Sequence, residues 1–298
     1  MICASFLSRF AARLCSVWLL LLGAGCAHAE LLRPFKDDLF AYPGVLATSD
    51  GGRHVSVDYQ IERDLRRRDE VPERRVKKNY VDLAPLKTQK EVVVRTEVAR
   101  VPHLVVGKPE TARFIVVYLY GQGGNRKQGM SDYTFGGNFN RIKNLAQRNG
   151  GIYITPDFSD FGTTGARQVA SLLSYYATFA PDAKIFLACG SMGGSLCWRL
   201  ANDTDLASRL GGLLLLGSHW DDQFLSSAAF KQRVPVFVGH GSSDRVFPVE
   251  AQERFFRSIL RRSSSYPVRF VRFETGSHGT PIRMVDWRGT LNWMDSAR

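Results

Sequence analysis

Lys184-Ile-Phe-Leu-Ala-Cys189-Gly190-Ser191-Met192-Gly193-Gly194 is followed directly by Ser195-Leu-Cys-Trp-Arg-Leu200. Residues 185–188 form an unbroken apolar run, the pattern of a strand buried on both faces. The run leads into small-x-Ser-x-Gly, and the apolar-rich stretch after it predicts a helix. A sharp strand-to-helix turn of this kind lifts a serine hydroxyl to the end of a sheet. The residues two places either side must be small, because the turn packs them against backbone. The new helix also points free N–H groups at any oxyanion that forms there. Cys189 fills the first small position, where glycine is commonest, and is small enough to fit. Ser191 is therefore the candidate nucleophile. The competing reading is a glycine-rich turn that happens to hold a serine, and the flanking strand and helix argue against it.

Outward from this turn, short apolar runs alternate with helical patterns. Residues 114–120, 151–155, 213–216, 236–239 and 268–273 read as further buried strands. Val169, Leu172, Leu173 and Tyr176 recur at helical spacing before Pro181, and Val249, Phe256, Ile259 and Leu260 do so before Arg261. Met284, Trp287, Leu291 and Met294 mark one side of a last helix, interrupted by Gly289. Strands alternating with helices predict an α/β fold: a mostly parallel central sheet with helices on both faces.

Residues 30–110 are expected to supply N-terminal strands and a charged segment to the same sheet, ahead of a core at 111–298. Residues 53–60 and 90–99 have strand character, and 101–106 reads as a continuation of the second. Between them, residues 61–78 hold eight Lys/Arg and five Asp/Glu. That density suits a solvated helix or loop, or else a weak dock for an anionic surface.

Residues 1–29 read as a secretory leader: Arg9 and Arg13, then an apolar run from Leu14 to Gly25, then Ala27-His28-Ala29 before a cut at Glu30. The run is too short to span a bilayer, which takes about 20 apolar residues. Lipidation at Cys26 is the alternative, with Gly23 where a lipobox usually has leucine. The expected product is exported, periplasmic or secreted, with no later membrane span. Of five cysteines only Cys189 and Cys197 remain, and they are expected as two buried thiols rather than a bridge.

The 298 residues are 44% hydrophobic, 11% aromatic and 23% charged, which excludes disordered, collagenous and multi-span chains. The formal net charge of +12 is spread along the chain, with no aromatic-interleaved basic motif, so nucleic acid is not expected as a partner. No cysteine pair has zinc-ligand spacing.

A serine nucleophile needs a base, and the base needs an orienting acid. His278, in Thr275-Gly-Ser-His-Gly-Thr280, follows the last predicted strand and can reach over the sheet edge to Ser191. His54 and His103 precede the sheet core. His240 reads as a packing or loop residue, and His219 as a loop histidine that could line a pocket. Asp244 follows the strand at 236–239 and is the expected acid, with Asp221 or Asp222 as fallback. Tyr118-Leu-Tyr-Gly-Gln-Gly-Gly-Asn125 follows the strand at 114–120. Its glycines permit close backbone approach, so the N–H of Gln122 or Gly123 is the expected oxyanion donor, with Met192 N–H as the second. A phosphate loop is excluded because Asn125-Arg-Lys-Gln128 replaces Gly-Lys-Ser/Thr, and a dinucleotide fingerprint because its third glycine is missing. Arg126 and Lys127 are expected at the surface.

Taken together, these elements resemble the α/β-hydrolases over residues 85–298, and are similar in detail to secreted carboxylesterases and the phospholipase/carboxylesterase group. Tyr120-Gly121 replaces the His-Gly that commonly opens the family's oxyanion loop. The resemblance implies a Ser-His-Asp triad of Ser191, His278 and Asp244, and hydrolysis of a small-molecule or lipid-like ester without metal or organic cofactor. Residues 217–235 leave no room for a large cap domain, so an open site is expected. Acyl transfer or amide cleavage by the same triad, and a non-catalytic binding protein on the same fold, are the alternatives.

Overall fold

The structure, a computed structural model, describes residues 30–298. The leader, its cleavage site and Cys26 lie outside the described residues. The strands are β1 Val45–Ser49, β2 His54–Val57, β3 Asp69–Val71, β4 Arg75–Val76, β5 Lys90–Arg95 and β6 Arg100–Val106. They continue with β7 Phe114–Leu119, β8 Ile152–Pro156, β9 Lys184–Gly190, β10 Leu210–Leu216, β11 Val236–Gly241 and β12 Val268–Phe273. Ten form one sheet in the order β1-β2-β12-β11-β10-β9-β7-β8-β6-β5, while β3 and β4 form a separate hairpin. Each neighbouring pair from β2 through β8 is parallel, and the edge pairs β1–β2, β8–β6 and β6–β5 are antiparallel.

Both faces of this sheet are covered, as its continuous apolar strands require. Ile115, Val117 and Leu119 of β7 join one core with helices Thr163–Phe179, Gly194–Leu200 and Val249–Arg262. The alternate residues Phe114, Val116 and Tyr118 join a second core with helices Asn138–Arg148 and Trp287–Ser296. Because the neighbouring strands from β2 through β8 run parallel, their C-terminal ends lie along one edge of the sheet. The segments after β7, β9, β11 and β12 meet there.

Several expectations change. Residues 90–106 fold as two strands, because Thr96 and Ala99 close a turn between them (Thr96 N–H to Ala99 O, 3.0 Å or less). Within residues 30–110, β1–β2 and β5–β6 occupy opposite edges of the sheet. The last helix is two helices, Thr280–Met284 and Trp287–Ser296, and the break falls at Val285-Asp286 rather than at Gly289. Buried Asn138 stabilises the break, since its side-chain amide donates to Ile282 O and Val285 O at 3.0 and 2.9 Å. Cys189 and Cys197 are not separate thiols. They are joined in a disulfide, with Cα atoms 6.4 Å apart, which ties the end of β9 to the helix after the serine turn.

The charged segment 61–78 is a single wide helical turn at Glu62–Arg66 followed by the β3–β4 hairpin, with much of its charge paired locally. Arg63 pairs with Asp58 and Asp64, Arg66 with Glu62, and Arg75 with Glu70. Residues 217–235 hold only the short turns Asp222–Ser226 and Ala228–Lys231, so no cap domain covers the sheet edge.

Candidate active site

Ser191 directly follows β9 at φ 51°, a left-handed conformation that a serine adopts only when its surroundings enforce it. Packing enforces it here. A Cβ at Gly121 would lie 2.6 Å from Ser191 Cβ and 3.1 Å from Oγ, so the loop after β7 presses bare backbone against the serine. Ser218 Oγ donates to Ser191 O at 2.8 Å, and Gln252 Nε2 in turn donates to Ser218 O at 2.5 Å.

The loops after β11 and β12 bring Asp244 and His278 to the same place. His278 Nδ1 lies 2.8 Å from Asp244 Oδ2, and His278 Nε2 lies 2.9 Å from Ser191 Oγ. An ionised carboxylate only accepts, so Nδ1 carries the proton and Nε2 accepts from the serine hydroxyl. The Asp244 side chain is 0% exposed and that of His278 30%, so water and ligands reach the imidazole but not the acid. Burial pushes the Asp244 carboxyl pKa up. Hydrogen bonds from His240, His278 and the N–H groups of Val246 and Phe247 outweigh burial and hold it below the ordinary carboxylate range. The acid therefore stays charged beside His278.

The two remaining histidines near the sheet edge are closer to this group than their sequence context suggests. His240 is fully buried, with Nε2 2.8 Å from Phe247 O and 3.2 Å from Asp244 Oδ2. Both partners are acceptors, so Nε2 carries its proton. The signal for this was present in the i, i+4 spacing of His240 and Asp244 across a Gly-Ser-Ser turn. His219 packs at a tilt against Phe247 (5.8 Å between ring centroids), and Phe247 packs on His278 at 5.7 Å. Burial lowers the His219 pKa, opposed by Asp221 and the Ser191 carbonyl.

Gln122 and Gly123 lie in a turn closed by Gly124 N–H donating to Gly121 O at 3.0 Å, and Met192 follows Ser191 in a single helical turn. Of the two fallback acids, Asp221 is occupied elsewhere. Asp221 caps the turn that begins at Asp222, accepting from Gln223 N–H at 2.9 Å. Arg126 is held by Glu91 and Asp157. His54 pairs with Glu253 at 3.1 Å, and His103 meets Tyr176 Oη at 2.6 Å, both away from the site. Among the described residues no group of His, Cys, Asp and Glu could hold a metal ion.

Solved structures with this arrangement of strands and helices are α/β hydrolases and esterases. A serine hydrolase without a lid from Xanthomonas campestris aligns over 68% of this chain and 92% of its own, at 15% identity and a TM-score of 0.50. An esterase from Pyrococcus furiosus aligns over 72% and 94%, at 13% identity and 0.50. A feruloyl esterase module from Clostridium thermocellum, as its Ser-to-Ala mutant with sinapinate, aligns over 76% and 95%, at 13% identity and 0.53. No protein-family model and no curated protein matches the sequence. The chain has the α/β-hydrolase fold, with no large cap domain within residues 217–235.

Proposed function

We propose that this chain is an exported serine hydrolase that cleaves carboxylic esters. The observation that carries the reading is the unbroken relay Ser191 Oγ–His278–Asp244, with contacts of 2.9 and 2.8 Å. Ser191 attacks the ester carbonyl while His278 Nε2 takes its proton. Asp244 keeps the imidazole in the required tautomer and stabilises its charged form. The N–H groups of Met192 and of Gln122 or Gly123 receive the oxyanion, each donor worth roughly 3 kcal/mol in the transition state. His278 then gives its proton to the departing alkoxide. Water, activated by the same histidine, releases the acid from the acyl-enzyme.

Export is supported by the leader pattern in residues 1–29 and by the Cys189–Cys197 disulfide, which persists in oxidising compartments. Release of acid from a panel of esters, compared with the S191A variant, tests the reaction. Turnover that is lost in S191A supports the proposal, and turnover that survives in S191A refutes it.

A further inference from the structure

Beside His278 is a cavity of about 280 Å³ that the triad does not use, bounded by both of its chain neighbours, Ser277 and Gly279. Its other walls include Tyr59, Glu73, Phe135 and Thr280. Two of these come from residues 30–110, the part of the chain furthest in sequence from the triad. We propose that this cavity is the subsite for the alcohol part of the ester, and that it selects a hydroxylated ring, a sugar or cyclic polyol. The proposal rests on the hydrolase reading above.

The location follows from the reaction. His278 must hand its proton to the leaving oxygen, so the alcohol departs on the histidine's side of the serine. The cavity is at the low end of small-molecule sites, which span roughly 300–1,000 Å³, and suits one ring-sized group.

The walls are built with unusual care. Phe135 sits at φ 49°, a strained conformation for an aromatic residue, and Gly136 and Gly137 follow at 61° and 74°. Arg68 holds this bend: its Nε and Nη2 donate to Gly136 O at 3.1 and 2.6 Å. The Arg68 guanidinium is itself buried between the rings of Phe40 and Tyr80, each 4.7 Å away. The result sets the Phe135 ring against Gly279, where a Cβ would lie 3.5 Å from it. Strain of this kind, clamped by a buried cation, fixes the Phe135 ring against Gly279, the residue that follows His278.

The β3–β4 hairpin is fixed to the same place. Arg283, one turn after His278, makes a buried two-pronged ion pair with Asp69 at 2.9 and 2.8 Å. Asp69 also accepts from Glu73 N–H at 2.7 Å, which sets Glu73 at φ 63° in the hairpin turn. Arg283 is thereby neutralised. No hydrogen bond or ion pair of the Glu73 carboxylate is present among the described residues. The cavity thus offers the Phe135 ring, the hydroxyls of Tyr59 and Thr280, which bond each other while Thr280 Oγ1 also accepts from Ser277 N–H at 2.9 Å, and the solvent-exposed Glu73 carboxylate. A ring with an apolar face and several O–H donors matches all three.

Two measurements test this. The first is kcat/KM for acetate esters of glucose, cyclohexanol, choline and ethanol, with the wild type and with E73Q, F135G and, as a control outside the cavity, E70Q. Glycine tolerates φ above zero, so F135G removes the ring without the backbone penalty. The expected result is at least a tenfold preference for the glucose ester over the cyclohexyl ester. E73Q and F135G should reduce it about tenfold, chiefly through KM, and E70Q should leave it unchanged. The second is equilibrium binding of methyl glucoside, which has no ester and reads the cavity without the reaction. Saturable binding that is weakened in E73Q and F135G supports the subsite even if Ser191 proves inert, in which case only the hydrolase reading fails. A choline preference, equal rates for glucose and cyclohexyl esters, or glucoside binding unaffected by both variants overturns it.

Discussion

Asp244 Oδ2 is shared by two imidazoles, His278 Nδ1 at 2.8 Å and His240 Nε2 at 3.2 Å. The first contact orients the His278 ring, and the second, with the Val246 and Phe247 N–H groups on Oδ1, fixes the Asp244 carboxylate. A carboxylate held from four sides cannot rotate away from the histidine when the latter becomes charged.

Changing Asp244 to Asn should leave the serine in place but present His278 with the wrong tautomer. Ester turnover should then fall by about 10⁴-fold with little change in KM. The H240F variant should lose roughly tenfold in kcat, the equivalent of one charge-assisted hydrogen bond, while H240Q, which keeps a donor near Nε2, recovers part of it. Steady-state kinetics on one ester decides both.

Gly121 lies directly against Ser191. In G121A the new methyl group must displace Ser191 or its own loop, since the available space is 2.6 Å. kcat should drop by at least 100-fold, with the thermal midpoint within a few degrees of wild type. An active G121A enzyme would show that the loop after β7 stands further from the serine.

The Cys189–Cys197 bridge closes a small loop around Ser191. By chain entropy such a loop stabilises by about 2–3 kcal/mol. The C189A/C197A variant should therefore melt roughly 5–10 °C lower. Peptide mapping should find no free thiol at either position in the native protein, and free thiols there would remove the bridge from the account.

Glu253 carries an acid-sensitive part of the stability. Hydrogen bonds from His54 and Arg272 outweigh its burial and lower its pKa from 4.5 to about 2. A depressed carboxylate stabilises fully above its unfolded value, and that contribution is lost as pH falls through the folded value. The stability deficit of E253Q should be largest near pH 7 and should shrink between about pH 4.5 and 2. Urea unfolding at a series of pH values measures it. A deficit that is constant with pH would mean the pairing contributes nothing.

The strands were readable in the sequence because burial on both faces leaves an unbroken apolar run, as at Ile185–Ala188 and Leu213–Leu216. β10 starts earlier than its apolar run suggests, at Leu210, because Gly211 and Gly212 are strand residues pressed against Phe186 and Met294. Ser191, Asp244 and His278 could be picked out because each follows such a run, and parallel strands bring those ends together. Helix Asn138–Arg148 gave no such signal. Its Asn138, Asn140, Arg141, Lys143 and Asn144 look like a solvated loop but are buried. Their partners lie outside the helix and mostly far away in sequence: Arg141 pairs with Asp37, Asn140 and Asn144 with Asp82 O, and Lys143 with the nearer Asp132. The same holds for Arg68, Asp69 and Arg283, whose charged side chains are interior only because residues 30–110 fold back over the sheet. Local pattern cannot register burial that depends on long-range pairing.

Ser191 is predicted to be an activated nucleophile driven by His278. Fluorophosphonate labelling of the purified protein, mapped by peptide mass, tests it most directly. The account predicts a single adduct on Ser191 that is absent in S191A and in H278A. A native protein that stays unlabelled, or an adduct that persists in H278A at the wild-type rate, would contradict it.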